Sequence, residues 1–466
     1  MPGTFGDNDP SDPKDPRDSS DPSGPSEEAP SPDAFAAMLR SMGVDPNAGA
    51  DVDKIKAPAP GGPTGPLGPL LAMLGGQGAT FPWDAARQTA IWTAAGGGVE
   101  PPVDPLDRIK ILELCSRAAE ALNEATGFNL RISTGAPVAK PNGLGTSTQK
   151  EGPKDLPIEV QVTTKAGWAA EALDDYRERF EAMSAALSKP TTQTEPERVE
   201  NPLQGLFGGL APMLLGGQAG AAVGAAAGES VGTFDVMACR RDSRLTLSVS
   251  LIDAFAKEWA VPVETARLHF CLVDLCTMAI LQMPQVRSRL AELFARHDAR
   301  SSFDVEGLAA DVENRIESAG FDPEAGAVDV NALSSLSSLD PSQFLGRSAE
   351  QVAIQNEIEV FLRPILGYAE YMVAITGARL IGDNRQVMEA WKRRRTGGTA
   401  TRNLGRLLGV NISAHTFERG AAFVGGVLQR AGSDGLALLW SDPENLPTAA
   451  ELEAPGLWLA RLGVDS

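Results

Sequence analysis

Leu272-Val273-Asp274-Leu275-Cys276-Thr277 lies inside an apolar segment, residues 262–283, whose reading decides the fold class. The run is too long for an ordinary strand and reads as a helix. On that helix Val273 and Thr277 share a face one turn apart. His269 falls one turn before Val273 on the same face, and Cys276 two turns beyond His269.

Outward from this segment the chain stays helical. Further helices are expected over 252–259, 285–297, 305–318, 349–376 and 385–395. Residues 244–251 (Arg-Leu-Thr-Leu-Ser-Val-Ser-Leu) alternate apolar and polar side chains and form the best strand candidate. Beyond Asn403 short helices and ordered turns are expected, with Leu446-Pro447-Thr448 and Trp458-Leu459-Ala460-Arg461 packed on the body.

Upstream, residues 81–95 read as a helix. Asp104-Pro105 opens another, with Ile109, Leu112 and Leu122 inward and Gly127 at its end. Residues 128–162 read as loop. Residues 168–187 form an amphipathic helix whose inward face is Trp168, Ala172, Tyr176, Phe180, Met183 and Leu187. A polar linker follows at 189–201. Residues 201–228 carry no charge, and glycines recur at Gly216, Gly220, Gly224, Gly228 and Gly232. On a helix they line one face and admit a neighbouring backbone, a pattern shared with membrane helices. The Gly/Ala richness, Pro212, Gln204 and Gln218, and the lack of aromatic or basic flanks favour a buried helix over membrane contact.

The first 80 residues differ. Residues 1–31 are dominated by Asp, Pro, Ser and Gly and cannot bury enough apolar surface to offset ordering entropy. They read as a disordered acidic tail. A short helix at 32–42 follows, capped by Ser31 and stopped by Gly43, with Phe35, Met38, Leu39 and Met42 on one face. Residues 44–80 are Gly/Pro-rich, with a small apolar insert at 70–74.

The 466 residues carry 41 basic and 61 acidic side chains, a formal net charge of −20. That balance argues against nucleic acid and anionic lipid as partners. The four cysteines, Cys115, Cys239, Cys271 and Cys276, form no C-x-x-C pair. They read as reduced, buried thiols of a cytoplasmic protein. No basic stretch followed by an apolar one marks a secretory signal. Neither a phosphate-binding loop nor a G-x-S-x-G elbow is present.

The order of these pieces resembles one family, the actinobacterial zincin-like metallopeptidases, also labelled zinc-dependent metalloproteases or hydrolases. The resemblance covers about residues 81–462. Its marks are the Trp168 helix, Leu214-Leu215-Gly216-Gly217-Gln218-Ala219-Gly220, Gly232-Thr233-Phe234-Asp235, the strand at 244–251 and Phe255-Ala256-Lys257-Glu258-Trp259. Further marks are the helix from Thr265, Gly367-Tyr368-Ala369-Glu370, Leu407-Leu408-Gly409-Val410 and the run from Phe417 to Val424. The C-terminal Leu446-Pro447-Thr448, Glu451-Leu452 and Pro455 to Arg461 fit as well. The resemblance implies a mainly α, zincin-like helical domain over 81–466 with a minor β element, behind the disordered tail of 1–80.

It also implies zinc held by His-Glu-x-x-His, two histidines one helical turn apart with a glutamate as general base on the metal-bound water. Here the histidine positions read Val273 and Thr277, and the glutamate position reads Asp274. A further glutamate of the family, just before a Gly-Tyr pair, stands here as Leu366 ahead of Gly367-Tyr368. The chain has three histidines, His269, His297 and His415, none three or four apart. Valine offers no lone pair, a neutral threonine hydroxyl is a poor zinc ligand, and aspartate is a methylene short. The expectation is a catalytically inactive family member, a pseudoenzyme with no zinc, kept as a binding or regulatory protein for a peptide or protein partner. Two alternatives stand beside it. One is an active metal-dependent hydrolase using a rebuilt site, with His269, Cys276 and Glu370 as candidates. The other is a membrane-associated protein acting through 201–228.

Three side chains have simpler expectations. His269 reads as a hydrogen-bonded or half-exposed residue of an amphipathic helix, His297 as complementing a helix dipole beside Arg296, and His415 as a loop residue. The basic run Trp391-Lys392-Arg393-Arg394-Arg395 reads as a solvated helix end or structural ion pairing, with an anion or acidic-partner site as the alternative.

Overall fold

A computed structural model describes residues 81–133, 156–187, 202–237, 244–303, 345–346 and 348–464. All belong to a unit that takes in residues 59–466. The expected tail, the helix at 32–42, the apolar insert, the linker at 189–201, the helix at 305–318 and Cys239 lie outside the described residues.

The first described helix, α1, is Trp83–Ala94. Next, α2 is Pro105–Thr126: Asp104 caps it by accepting the N–H of Leu106 at 2.9 Å, and Gly127 ends it at φ 72°. Glycine alone takes that left-handed turn without a Cβ penalty. The inward face of α2 is Ile111, Cys115, Ala118, Ala119 and Leu122, not Ile109, which is 53% exposed. About 3.6 residues per turn place Ile109 on the side away from Leu122.

Residues 128–162, expected as loop, hold two strands: β1, Leu130–Ser133, and β2, Leu156–Thr163. The alternation Ile158-Glu159-Val160-Gln161-Val162 is a strand signal, and Ile158 and Val162 are its buried phase. Two helices follow, α3, Lys165–Asp175, and α4, Arg177–Leu187. They replace the single helix expected there. All six expected inward residues from Trp168 to Leu187 are buried, yet nothing in the residue type of Tyr176 signals the break.

Helix α5, Pro202–Ala227, carries the glycine stripe. A Cβ on Gly216 would collide with Pro82, one on Gly220 with Ala86 O, and one on Gly224 would lie 2.5 Å from Ala90 O. The stripe therefore seats α5 on α1. No single helix among the described residues is long and apolar enough to cross a membrane.

β3 is Arg244–Ser248, and α6, Val249–Glu258, starts where the alternating pattern still continues. The strand ends earlier than expected because the ladder to β2 closes with Thr163 opposite Ser248, whose N–H goes to Val231 O at 2.8 Å. The sheet runs β1-β2-β3, wholly parallel. α7, Val263–Leu281, is the centre of the fold: every residue from Ala266 to Leu281 is buried. A helix buried on all sides, with a few polar residues among apolar ones, has no apolar face set against a solvent face, so its periodicity says nothing of direction.

Around it pack α8, Pro284–Asp298, α9, Ala349–Ile381, and α10, Arg385–Gly397, while α11, Thr399–Leu407, packs on α5. A two-stranded antiparallel pair, Ser302–Phe303 with Leu345–Gly346, stands between α8 and α9 in the chain. The C-terminal region holds more than short helices. α12, Ala414–Ala437, has 24 residues, with a Ser413/Thr416 capping box and a kink at Gly432. Two short helices, Ala449–Glu453 and Pro455–Arg461, close the chain, and Trp458 and Leu459 are fully buried as expected.

Candidate functional site

A cleft of about 500 Å³ opens between α6, α7, α9, α10 and α11 and the turn Thr233–Asp235. Its volume falls in the range of small-ligand pockets, roughly 300–1,000 Å³. Val273 and Thr277 line it from α7, one turn apart, and Leu366 lines it from α9. Three of the four motif positions singled out in the sequence thus share one cavity. Their side chains offer two hydrocarbon surfaces and one hydroxyl.

Asp274 has a different place. Its Oδ2 accepts the N–H of Thr233 at 2.7 Å, and it is 3% exposed. A Cβ at position 232 would lie 2.6 Å from the Asp274 carboxyl carbon, so Gly232 permits the approach. The turn is held from other sides as well. Trp168 Nε1 donates to Gly232 O at 3.1 Å, and Thr233 Oγ1 accepts Thr246 N–H at 2.7 Å. Asp235 Oδ2 accepts the N–H groups of Val231 at 2.5 Å and Gly232 at 3.3 Å. Asp235 borders the cleft. Burial raises its carboxyl above the usual range, against the lowering pull of Arg394 and the two backbone donors.

His269 is wholly buried, in edge contact with Phe270 and Trp391, and neither ring nitrogen has a hydrogen-bond partner among the described residues. It is neither half-exposed nor hydrogen-bonded as expected, because α7 is enclosed all round. Burial, then Arg395, lowers its pKa from 6.5 to about 3. The unfolded chain therefore binds this proton first. Stability from the neutral ring is complete above about pH 6.5 and is lost as pH falls, by about 1.4 kcal/mol per unit until the buried ring titrates. His269→Leu is expected to change stability by less than about 1 kcal/mol at pH 7.5, since two unpartnered polar atoms leave with the ring contact. At pH 5 the variant should exceed the parent by about 2 kcal/mol. Urea unfolding at the two pH values reads the difference, and equal slopes for both proteins would disprove it.

Cys276 is also fully buried, and burial pushes its thiol up to about 12. It is a protonated thiol at neutral pH. Glu370 is clamped by Arg395 at 2.6 Å and Lys392 at 2.8 Å. Burial would raise its carboxyl, but these cations hold it below the ordinary range. Among the described residues no three His, Cys, Asp or Glu side chains are grouped to hold a metal ion, so His269, Cys276 and Glu370 do not form such a set.

Of the other histidines, His297 keeps the expected helix-end position beside Arg296, and His415 does not lie in a loop. His297 is in the last turn of α8 but buried; its Nδ1 lies 3.1 Å from Asp298 Oδ1 and its Nε2 3.2 Å from Gln355 Nε2. His415 is in the first turn of α12, not in a loop, and accepts from Arg419 at 3.3 Å. The three described cysteines are reduced and buried, with Cys115 and Cys271 sulfurs 3.2 Å apart.

The basic run is largely structural. Arg393 pairs with Glu389 at 2.9 Å, Arg395 pairs with Glu370 and lies over Phe417, and Arg394 donates to Glu229 O. Arg393, Arg394 and Arg395 nonetheless border the cleft, with Arg402. The contributions of Glu229, Asp235, Trp259, Arg402 and Phe417 are absent from the sequence reading. The segments around Asp235, Trp259 and Phe417 stand out in it, but no spacing joins them.

Residues 82–459 match the zincin-like metallopeptidase family. The chain belongs to that family. No curated protein matches it. Among solved structures, "a putative hydrolase with a novel fold" from Chloroflexus aurantiacus superposes with a TM-score of 0.52 at 18% identity, covering 82% of this chain and 99% of that one. At this identity the likeness is one of fold. The cleft lining also includes the carboxylates of Glu229, Asp235 and Glu258. Zinc takes neutral imidazole, thiolate or carboxylate ligands, and Val273, Thr277 and Leu366 supply none of these.

Proposed function

We propose that this zincin-like protein has lost its zinc site and works as a non-catalytic binding or regulatory protein, with the cleft as its binding site for a peptide or protein segment. The observation that supports this reading is the shared location of Val273, Thr277 and Leu366 in one cavity. Loss of one ligand leaves a weakened site. Three ligand positions without a strong donor remove the set that would converge on one zinc ion. Asp274 does not compensate, because its carboxylate holds the Thr233 turn. No set of His269, Cys276 and Glu370 rebuilds the site nearby, which disfavours a metal-dependent hydrolase.

The test is zinc content of the full chain, purified without a histidine tag, by elemental mass spectrometry. Less than about a tenth of an equivalent is expected. Near one equivalent, with hydrolysis of a casein or peptide substrate that a chelator abolishes, would overturn the reading.

A further inference from the structure

We propose that the cleft recognises a ligand with an apolar side chain next to a free carboxylate, the chemistry of a peptide C-terminus. This rests on the reading of the cleft as a binding site and adds what it binds. The apolar part of the lining is Phe255, Trp259, Trp391 and Phe417 together with Val273 and Leu366. Such a surface suits one hydrophobic side chain.

The polar border is unbalanced. Of the four lining arginines, Arg393 and Arg395 are neutralised by Glu389 and Glu370. Arg394 and Arg402 are not: each donates to a backbone carbonyl, Glu229 O and Gly398 O respectively, and among the described residues neither has a carboxylate at ion-pair distance. The lining carboxylates are mostly committed to the protein's own donors. Glu229 Oε2 accepts the N–H groups of Ala400 at 2.9 Å and Thr401 at 3.0 Å at the start of α11. Asp235 accepts the N–H groups of Val231 and Gly232 and lies within the field of Arg394. Glu258 remains, on α6, whereas Arg394 and Arg402 come from α10 and α11.

Two guanidinium groups without an ion pair at contact distance, each bonded to the protein only through one backbone carbonyl, beside an apolar cavity in a chain of net charge −20, make a local site for a small anion with a hydrophobic body. Arginine matches a carboxylate through paired N–H donors. An amidated terminus keeps the apolar contact and loses the charge, so the two halves of the site can be read separately.

The experiment is fluorescence anisotropy of the full chain with a labelled glycine-rich peptide ending in phenylalanine, as the free acid and as the C-terminal amide. The acid should bind at least about tenfold tighter. Arg402→Gln, at an exposed position expected to leave folding intact, and Arg394→Gln should each reduce that ratio severalfold, with thermal melts confirming folded protein. A ratio that survives both substitutions would overturn the inference, as would equal affinities or no binding of either peptide. Inorganic phosphate that displaces the acid as well as unlabelled peptide does would reduce the site to a generic anion site and also overturn it. Equal affinities would leave the binding cleft standing and remove its carboxylate. Zinc-dependent cleavage of the peptide would instead defeat the non-catalytic reading, and the acid-to-amide ratio under chelation would still test this one.

Discussion

Replacing Arg267 by methionine is expected to destabilise the protein by about 3 kcal/mol, measured as a loss of unfolding free energy in urea. Arg267 lies on α7 and is 6% exposed. Its Nε and Nη2 meet the two oxygens of Asp253 on α6 at 2.8 and 2.6 Å, and its Nη1 meets Asp107 on α2 at 2.8 Å. One side chain therefore ties three helices together. Removing one partner of a buried ion pair costs about 3–5 kcal/mol when the remaining charge stays dry. Here the low end applies, because the abandoned Asp253 and Asp107 side chains are 38% and 29% exposed and can take up water. Methionine retains much of the apolar stem, so the loss measures the charge network more than packing. A loss under about 1 kcal/mol would show that the network contributes no more than a surface pair.

Alanine at Gly367 or Gly420 is expected to cost about 2 kcal/mol. A Cβ on Gly367 would collide with the carbonyl of Gly420, and one on Gly420 with the carbonyl of Arg363. The obstacle is backbone on both sides, so no side chain can swing away, and α9 must separate from α12. Overpacking of this kind costs typically about 1–3 kcal/mol and occasionally more. The better helix propensity of alanine returns up to about 1 kcal/mol. The two substitutions should be non-additive, since the first opens the gap that the second would fill. A double variant no worse than about 3 kcal/mol is the expected result, read from urea midpoints with unchanged slopes. Because Leu366 precedes Gly367 and lines the cleft, the same variants should also weaken ligand binding.

Much of the helical framework was legible in the sequence because its signals are local. The Asp104-Pro105 start and Gly127 stop of α2 need only their own side chains and backbone. The inward face from Trp168 to Leu187 survives even though the chain breaks into two helices at Tyr176. The glycine stripe of α5 reads as a close-approach surface, and α1 is what approaches. Strands fared worse. The alternation of β2 is a local signal that the loop reading passed over, whereas β1 has four residues and is ordered by parallel pairing with β2, which lies far from β3 in the chain. The end of β3 at Ser248 is set by its partner strand, while the apolar alternation runs on into α6.

The candidate site divides along the same line. By itself the sequence determined which residue types stand on α7, and so what chemistry they exclude: valine and threonine supply no strong zinc donor wherever they point. The direction of each side chain belonged to the tertiary structure. Every residue of α7 from Ala266 to Leu281 is buried, so hydrophobic periodicity, which distinguishes core from water, has no contrast to display there. Packing alone sends Val273 and Thr277 into the cleft, commits Asp274 to the Thr233 turn, and encloses His269 beside Trp391. The arginines 394 and 402 come under the same rule. Their charge is written in the sequence, but whether a carboxylate answers it depends on which distant segments fold beside them.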